Sequence, residues 1–258
     1  EMLEADIKLR MSENTYFQAE IAQSRGRGIG SSSSTDGGLT FNEELPVGSK
    51  SKTARAYRVR AVADLGELAN DRINGYGEVY YELREKNFSA LDSESAFEKR
   101  IYGGSLRLDV NENIEAHLAI KAIEEGTASG QDTQLYEAVV EATAEITENI
   151  TLLAGVTWSD YRDPATAGRN GTRTDIGARI TYAFNDKTNV FVFGQTTAHL
   201  KGDRVRNDRI GVGAEFELTG RLSITGDIST GTSGIGGSAE LTYESSPDNK
   251  SWLGYRLD

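Results

Sequence analysis

The most constraining feature of this chain is an alternation of apolar and polar side chains that repeats along almost its whole length. The stretch from Asp175 to Phe184 reads DIGARITYAF, and its apolar side chains fall at every second position. The stretch from Arg209 to Leu218 reads RIGVGAEFEL and alternates in the same way. Successive side chains of a β-strand point to opposite faces, so this period of two predicts strands with one apolar and one polar face.

About fourteen segments of this kind follow one another along the chain. A helix competes with a strand most clearly over 135–150, which is rich in Ala and Glu. Its apolar residues nevertheless recur at every second position rather than every third or fourth, which favours a strand. The predicted strands are 3–12, 15–25, 53–65, 74–86, 99–110, 113–125, 134–147, 150–162, 173–185, 188–201, 208–219, 221–230, 237–246 and 250–258.

The links between the predicted strands alternate in length. Short polar turns occur at 12–15, 111–113, 147–149, 185–188, 219–221 and 247–249. Longer links rich in glycine, serine or charge occur at 25–52, 87–98, 125–133, 163–172, 202–208 and 230–237. Asn and Asp suit tight hairpin turns because they tolerate positive φ and hydrogen-bond locally. The pattern predicts an all-β fold, a transmembrane antiparallel up-and-down meander β-barrel of about 14 strands, with short turns on one rim and long loops on the other.

A soluble β-sandwich would also show alternation, so strand length and charge decide between the two folds. Strands of about ten to thirteen residues exceed the usual five or six of globular sheets and suit a tilted strand that crosses about 30 Å of hydrocarbon. The polar face is densely charged, and a barrel of fourteen or more strands has an interior wide enough to keep such side chains in water. Both observations favour the transmembrane barrel.

The hairpins resemble the repeating hairpins of large proteobacterial outer-membrane β-barrels, in segments such as RTDIGARITYAFNDKTNVFVFGQ (173–195) and GGSAELTYESSPDNKSWLGYRLD (236–258). The resemblance implies a location in the outer membrane of a Gram-negative bacterium, with outer-membrane lipid around the apolar face. It also implies that the short turns face the periplasm, which would place 25–52 and 87–98 outside the cell.

This resemblance covers nearly the whole chain, so residues 1–258 are expected to form a single β-barrel domain. Both ends of the chain would lie on the long-loop rim, whereas barrels of this family usually start and finish in the periplasm. We therefore expect the chain to be an internal section of a longer polypeptide. Its partners would then be other domains of that chain or other envelope proteins.

Composition excludes several kinds of chemistry. The formal charge of −12 and the pI near 4.8 argue against a nucleic-acid partner, which would need a basic face to replace phosphate counterions. The chain has no cysteine, which excludes disulfides and thiolate metal sites. The loop acids Asp92, Glu94 and Glu98 are more simply a solvated acidic loop than ligands of a divalent cation.

The two histidines offer no catalytic pattern. His117 and His199 lie on separate predicted strands. A nucleophile–His–acid set around His199, Asp203 and a loop serine has no support in the spacing, and neither has metal ligation by histidine. We expect no enzymatic activity, metal or cofactor.

Charged side chains on the polar face are the strongest functional candidates, because they would line a water-filled lumen. The candidate pore-lining residues are Arg58, Arg60, Glu78, Glu82, Arg107, Asp109, Glu115, Lys121, Glu137, Glu141, Glu145, Asp175, Arg179, Arg209, Glu215 and Glu217. Once Asp227, Glu240 and Glu244 are included, acids outnumber bases roughly two to one, which predicts a mildly cation-preferring pore.

Two alternatives to this interpretation stay open. The charged side chains could instead pair between neighbouring strands and only solvate and rigidify the wall, as Arg58 and Arg60 beside Glu78 and Glu82 indicate. The barrel could also be a structural anchor or translocator of a larger surface or adhesive protein, with a plugged or non-conducting lumen.

The sequence also leaves undecided on which face of their strand two phenylalanines lie. Phe191 and Phe193 would face the lumen together with Gln195 and His199 in one register. A register shifted by one residue would turn both rings to the lipid, since Val190 and Val192 compete for that face.

Overall fold

Antiparallel strands make up most of the chain in the computed structural model. The structure describes residues 1–26, 32–33, 42–43, 52–69, 73–90, 93–127, 130–164, 168–246 and 249–257. Most of the predicted long link 25–52 and the loop acid Asp92 lie outside these residues.

The strands follow the alternating segments of the sequence closely. Every predicted strand has an observed counterpart whose ends lie within three residues of the prediction. The strands are β1 Met2–Arg10, β2 Tyr16–Gly26, β3 Ser32–Ser33, β4 Asn42–Glu43, β5 Lys52–Asp64, β6 Asn74–Arg84, β7 Ser89–Ala90, β8 Ser93–Glu94, β9 Lys99–Asn111, β10 Ile114–Glu125, β11 Thr133–Thr147, β12 Ile150–Arg162, β13 Gly171–Asn185, β14 Thr188–Gly202, β15 Arg209–Thr219, β16 Leu222–Gly231, β17 Gly234–Ser246 and β18 Asn249–Leu257.

Fourteen of these strands form one sheet in which each strand pairs with the next along the chain. The order is β1-β2-β5-β6-β9-β10-β11-β12-β13-β14-β15-β16-β17-β18, and the pairs β3-β4 and β7-β8 are separate two-residue ladders. The predicted fold, an antiparallel up-and-down meander of 14 strands of the transmembrane-barrel class, is confirmed. Residues 133–147, where a helix competed, are strand β11.

Short turns on one rim use the same local device repeatedly. The Asn111 side chain accepts a hydrogen bond from the backbone N–H of Asn113 at 2.9 Å, and Asn185 accepts one from Lys187 at 2.9 Å. Such side-chain bonds to the backbone two residues on stabilise a tight reversal.

One predicted long link is wrong: the 230–237 link is a turn of only two residues between Gly231 and Gly234, where Gly234 has φ +100°. Glycine adopts this φ without steric cost, and four glycines over 230–237 resemble a loop in composition alone.

A short helix that the sequence did not predict follows β5. Helix α1, Leu65–Ala69, begins after Asp64, whose carboxylate accepts hydrogen bonds from the backbone N–H groups of Gly66 at 2.9 Å and Glu67 at 3.2 Å. Glu67 in turn accepts hydrogen bonds from the hydroxyls of Thr15, at 2.7 Å, and Ser12. No helix in the described part of the chain is long and apolar enough to cross a membrane.

The chain divides into two compact units. Unit 1 comprises Glu1–Leu106, Ile120–Tyr136 and Arg162–Ala165, and unit 2 comprises Arg107–Ala119, Glu137–Tyr161 and Thr166–Asp258. The expectation of a single domain over 1–258 stays a prediction.

Hydrophobic side chains are mainly exposed, the reverse of a soluble fold. Among the described residues the buried ones are Ala54, Val62, Phe88, Ala122 and Phe191, whereas 40 large hydrophobic side chains are exposed. A water-soluble protein does not expose so much contiguous apolar surface.

The exposed side chains share one face of the strands within each unit. In unit 2, Ile180, Val192 and Val212 are register partners across three strands and are 48%, 51% and 52% exposed. In unit 1, Leu9 and Phe17 are register partners and are also exposed. Hydrocarbon solvates such a face, so these are the lipid-facing surfaces of transmembrane strands.

Candidate functional site

The opposite face of the strands in unit 1 carries a ladder of ion pairs. Arg58 is the register partner of both Glu20 and Glu82 and lies 3.6 Å and 3.3 Å from their carboxylates. Arg60 makes two hydrogen bonds to Glu78, at 2.8 Å and 2.9 Å. Four of the candidate pore-lining residues are therefore paired across strands, as the competing interpretation expected. Each pair is partly exposed, so each contributes little to stability, on the order of 0–1 kcal/mol.

Further candidates pair on the polar face of unit 2. Arg107 contacts Glu115, and Arg179 contacts Glu215 at 2.9 Å. Glu141 lies 3.6 Å from His117 Nδ1, which makes His117 a polar wall residue. Asp175 is 93% buried, and its carboxylate lies 2.8 Å from Arg173, a residue that the sequence prediction did not include.

The remaining candidates form no ion pair within the part of the chain that the structure describes. Four of them are acids and two are bases: Asp109, Glu137, Glu145, Glu217, Lys121 and Arg209. A pore-lining role for the sixteen residues stays a prediction, but the structure divides them into a paired set and an unpaired, acid-rich set.

Phe191 and Phe193 belong to the polar face of unit 2. Phe191 pairs with Gly213, and Phe193 pairs with Gly211. A Cβ at either glycine would overlap the ring opposite it, so the rings lie directly over bare backbone. The Arg179 guanidinium lies over the Phe191 ring, 3.6 Å from the ring centre. The two glycines, at the same spacing as the two phenylalanines, were the sequence signal for this face.

His199 does not share that face. Asp175 pairs with Thr197, but Thr174 pairs with His199, because a β-bulge interrupts the register between them. The extra residue turns His199 to the face opposite Phe191 and Phe193, so the interpretation that grouped all three is wrong on this point. No hydrogen bond or ion pair joins His199 to Asp203 in the described residues, and they hold no cluster of three metal-ligating side chains.

The link after β14 folds onto the polar face of unit 2. We call residues 203–208 the strap. Arg204 donates a hydrogen bond to the Ser159 hydroxyl at 3.2 Å, and the Val205 carbonyl accepts one from Arg173 at 3.3 Å. The Asn207 N–H donates to the Thr197 hydroxyl at 2.8 Å, which itself donates to Asp175 at 2.8 Å.

Asp208 fastens the end of the strap. Its carboxylate accepts hydrogen bonds from Arg206 at 2.7 Å, from the Thr197 N–H at 2.8 Å and from the Thr196 hydroxyl at 2.9 Å. These bonds hold the pKa of Asp208 well below its ordinary value, and the bond from Arg206 has the largest effect. Ionised Asp208 therefore stabilises the folded protein, because its pKa is lower in the folded than in the unfolded state. This stabilisation is complete above the ordinary carboxyl pKa of about 3.9 and is lost as the pH falls through the folded pKa.

The surroundings of Asp208 favour its charged form, whereas those of Arg204 disfavour its charged form. Burial lowers the pKa of its guanidinium, and nearby Arg173 lowers it further, while Asp175, Asp160 and Glu137 raise it. The guanidinium nevertheless stays charged at neutral pH, because arginine side chains are not deprotonated in proteins. The strap therefore brings a fixed positive charge to a face on which unpaired acids prevail.

A cavity of about 410 Å³ opens on the polar face of unit 2 beside the strap. Strands β11 to β14 supply most of its lining, and Asn207 of the strap completes it. The sequence prediction included Glu141, Asp175 and Arg179 of this lining but missed Arg173 and Asn207.

No protein-family model matches the sequence, and no curated protein matches it. Among solved structures, the copper transporter OprC aligns with 99% of this chain and 51% of its own, at 12% identity and a TM-score of 0.55. This chain thus spans about half the length of OprC. The likeness shows the fold, which is that of Gram-negative outer-membrane β-barrel proteins.

Two further barrels align at lower TM-scores. The Pseudomonas putida toluene transporter TodX covers 88% of this chain and 76% of its own, at 11% identity and a TM-score of 0.36. An engineered Rh. blastica porin covers 98% of this chain and 89% of its own, at 12% identity and a TM-score of 0.41.

Proposed function

We propose that this chain forms the wall of an outer-membrane channel, along whose polar face small hydrophilic solutes pass. The observation that carries the proposal is the division between the two faces of the strands. One face exposes hydrophobic side chains to lipid, and the other holds partly exposed ion pairs such as Arg60–Glu78 that require water. A wide, hydrated lumen meets both requirements.

We further propose that the channel prefers cations mildly. The unpaired candidates comprise Asp109, Glu137, Glu145 and Glu217 against Lys121 and Arg209. An unpaired carboxylate on a wall of low dielectric attracts cations more effectively than one already neutralised by an arginine 2.8 Å away, as Glu78 is by Arg60. The Arg204 charge on the strap reduces this preference without reversing it.

Conductance through planar bilayers tests both parts of the proposal. We expect stable open currents and a reversal potential that indicates cations in a salt gradient. Neutralising three unpaired acids together, Glu137→Gln, Glu145→Gln and Glu217→Gln, should move the reversal potential toward zero.

Three turn acids serve as the matched control, because Glu13→Gln, Glu112→Gln and Glu148→Gln remove the same charge outside the strands. We expect the reversal potential of this control to stay close to that of the wild type. Equal shifts in both variants would reject the assigned lining, and the absence of current from correctly folded wild-type protein would reject the channel.

One observation favours a second candidate, a structural anchor or translocator barrel with an occluded lumen. The strap is held over the polar face by contacts with Ser159, Arg173 and Thr197. Correctly folded protein without current would support this candidate. Its partners would be other domains of a longer chain or other envelope proteins, and outer-membrane lipid would surround either kind of barrel.

A further inference from the structure

The cavity on the polar face of unit 2 opens beside Gly177, where no side chain fills the space. Gly155 and Gly177 are register partners on neighbouring strands β12 and β13. A Cβ added at Gly177 would meet no atom closer than the Gly194 carbonyl oxygen, at 3.6 Å, so packing does not require glycine there. The space is instead open, and its volume of about 410 Å³ is in the range of small-molecule sites, about 300–1,000 Å³.

Charge in the cavity is balanced. Its lining holds the carboxylates Glu141 and Asp175 and the guanidinium groups Arg173 and Arg179. Arg173 lies 2.8 Å from Asp175, and Arg179 lies 2.9 Å from Glu215 beside the cavity. An ionic ligand would have to break one of these pairs, whereas a neutral ligand with hydroxyl groups can both donate to the carboxylates and accept from the guanidinium groups.

An aromatic ring and two amides complete the lining. Phe193 forms an apolar wall, and Gln195 donates a hydrogen bond through its amide nitrogen to the Asn207 carbonyl at 3.3 Å. This bond uses the donor end of Gln195 and leaves its carbonyl oxygen able to accept. A ring beside planar polar groups suits a ligand that has a C–H face and hydroxyl groups around its edge.

We propose that this cavity is a subsite for a neutral sugar, a mono- or disaccharide, on the channel wall. The inference rests on the proposed channel, since the polar face must be open to water for the sugar to reach the cavity. The strap contributes Asn207 to the subsite, so it acts as part of the binding surface as well as an obstruction.

Calorimetric titration of the detergent-folded protein with glucose and maltose tests the subsite, with sodium glutamate and lysine hydrochloride as charged probes. We expect saturable binding of at least one sugar and of neither charged probe. Gly177→Leu should abolish it by filling the open space. The control is Ala183→Leu on the same face and strand but outside the cavity, which should leave binding unchanged.

A second variant keeps the test decisive should Gly177→Leu fail to fold. Phe193→Ala removes the apolar wall and should weaken sugar binding roughly tenfold, the loss of one ring contact. Binding of a charged probe alone, or no binding by the folded wild type, would overturn the subsite. Because titration needs no current, folded protein that conducts without binding sugar rejects only the subsite. Protein that binds sugar without conducting rejects only the channel.

Discussion

At the scale of single residues, the stacked layer of Gly213, Phe191 and Arg179 determines how the polar face of unit 2 packs. The ring covers the glycine backbone, and the guanidinium lies over the ring, 3.6 Å from its centre. Arg179 is held at the same time by Glu215, at 2.9 Å. A side chain at 213 would displace all of them together.

We therefore predict that Gly213→Ala destabilises the folded protein by about 1–3 kcal/mol, the usual range for overpacking. Urea unfolding in lipid vesicles would measure the change. The control Gly177→Ala adds the same methyl group on the same face where it meets only ordinary contacts, and should change stability by less than about 0.5 kcal/mol. Equal effects at both glycines would refute the stacked layer.

The face on which Phe191 and Phe193 lie could not be predicted from their own strand. Phe191 and Phe193 alternate with two valines, so their own strand could not decide which set faces lipid. The decision lies on the neighbouring strand, where Gly211 and Gly213 leave room for the rings. The bulge that turns His199 has no local mark in the sequence, because it depends on the register between two strands.

At the scale of elements, β11 gives the sharpest contrast between the two faces of one strand. Val140 is 54% exposed on the apolar face, while its neighbour Val139 lies between Glu137 and Glu141 on the other. Both positions carry the same side chain, so the environment alone distinguishes them.

Val140→Arg should therefore impair folding into bilayers, at about 2–4 kcal/mol if the position lies near the bilayer midplane. Val139→Arg adds the same charge where water and two carboxylates can solvate it, and should fold nearly as the wild type does. The folded fraction of each variant can be read from its heat-modifiable mobility in gel electrophoresis. Similar folding of the two variants would contradict the assigned faces.

Strands were predictable as elements because each one repeats a pattern visible in its own ten or so residues. Helix α1 and the strap were not, since both depend on distant side chains. The helix receives hydrogen bonds from Thr15 and Ser12, about fifty positions earlier, and the strap is anchored to Ser159 and Arg173. The turn at Thr232 and Ser233 was missed because glycine marks loops and tight turns alike.

At the scale of the whole molecule, fourteen strands form one sheet, and within each compact unit they expose hydrophobic side chains on one face and carry ion pairs on the other. The solvent must therefore differ between the two faces, which is the central claim from which the proposed channel follows. The chain has two tryptophans, both in unit 2, and their fluorescence can report on the solvent at each face. Trp158 lies between the polar-face residues Thr157 and Ser159 on its strand, so its side chain is on the apolar face. Trp252 pairs with the polar-face residue Thr242, so its side chain is on the polar face.

Fluorescence quenching in vesicles of brominated lipid is the most direct measurement, with Trp252→Phe leaving Trp158 alone and Trp158→Phe leaving Trp252. We predict strong quenching of Trp158 by the brominated acyl chains, and quenching of Trp252 mainly by iodide in the aqueous phase. Trp158 that is quenched by iodide but not by brominated lipid would contradict the lipid-facing assignment, and with it the membrane barrel.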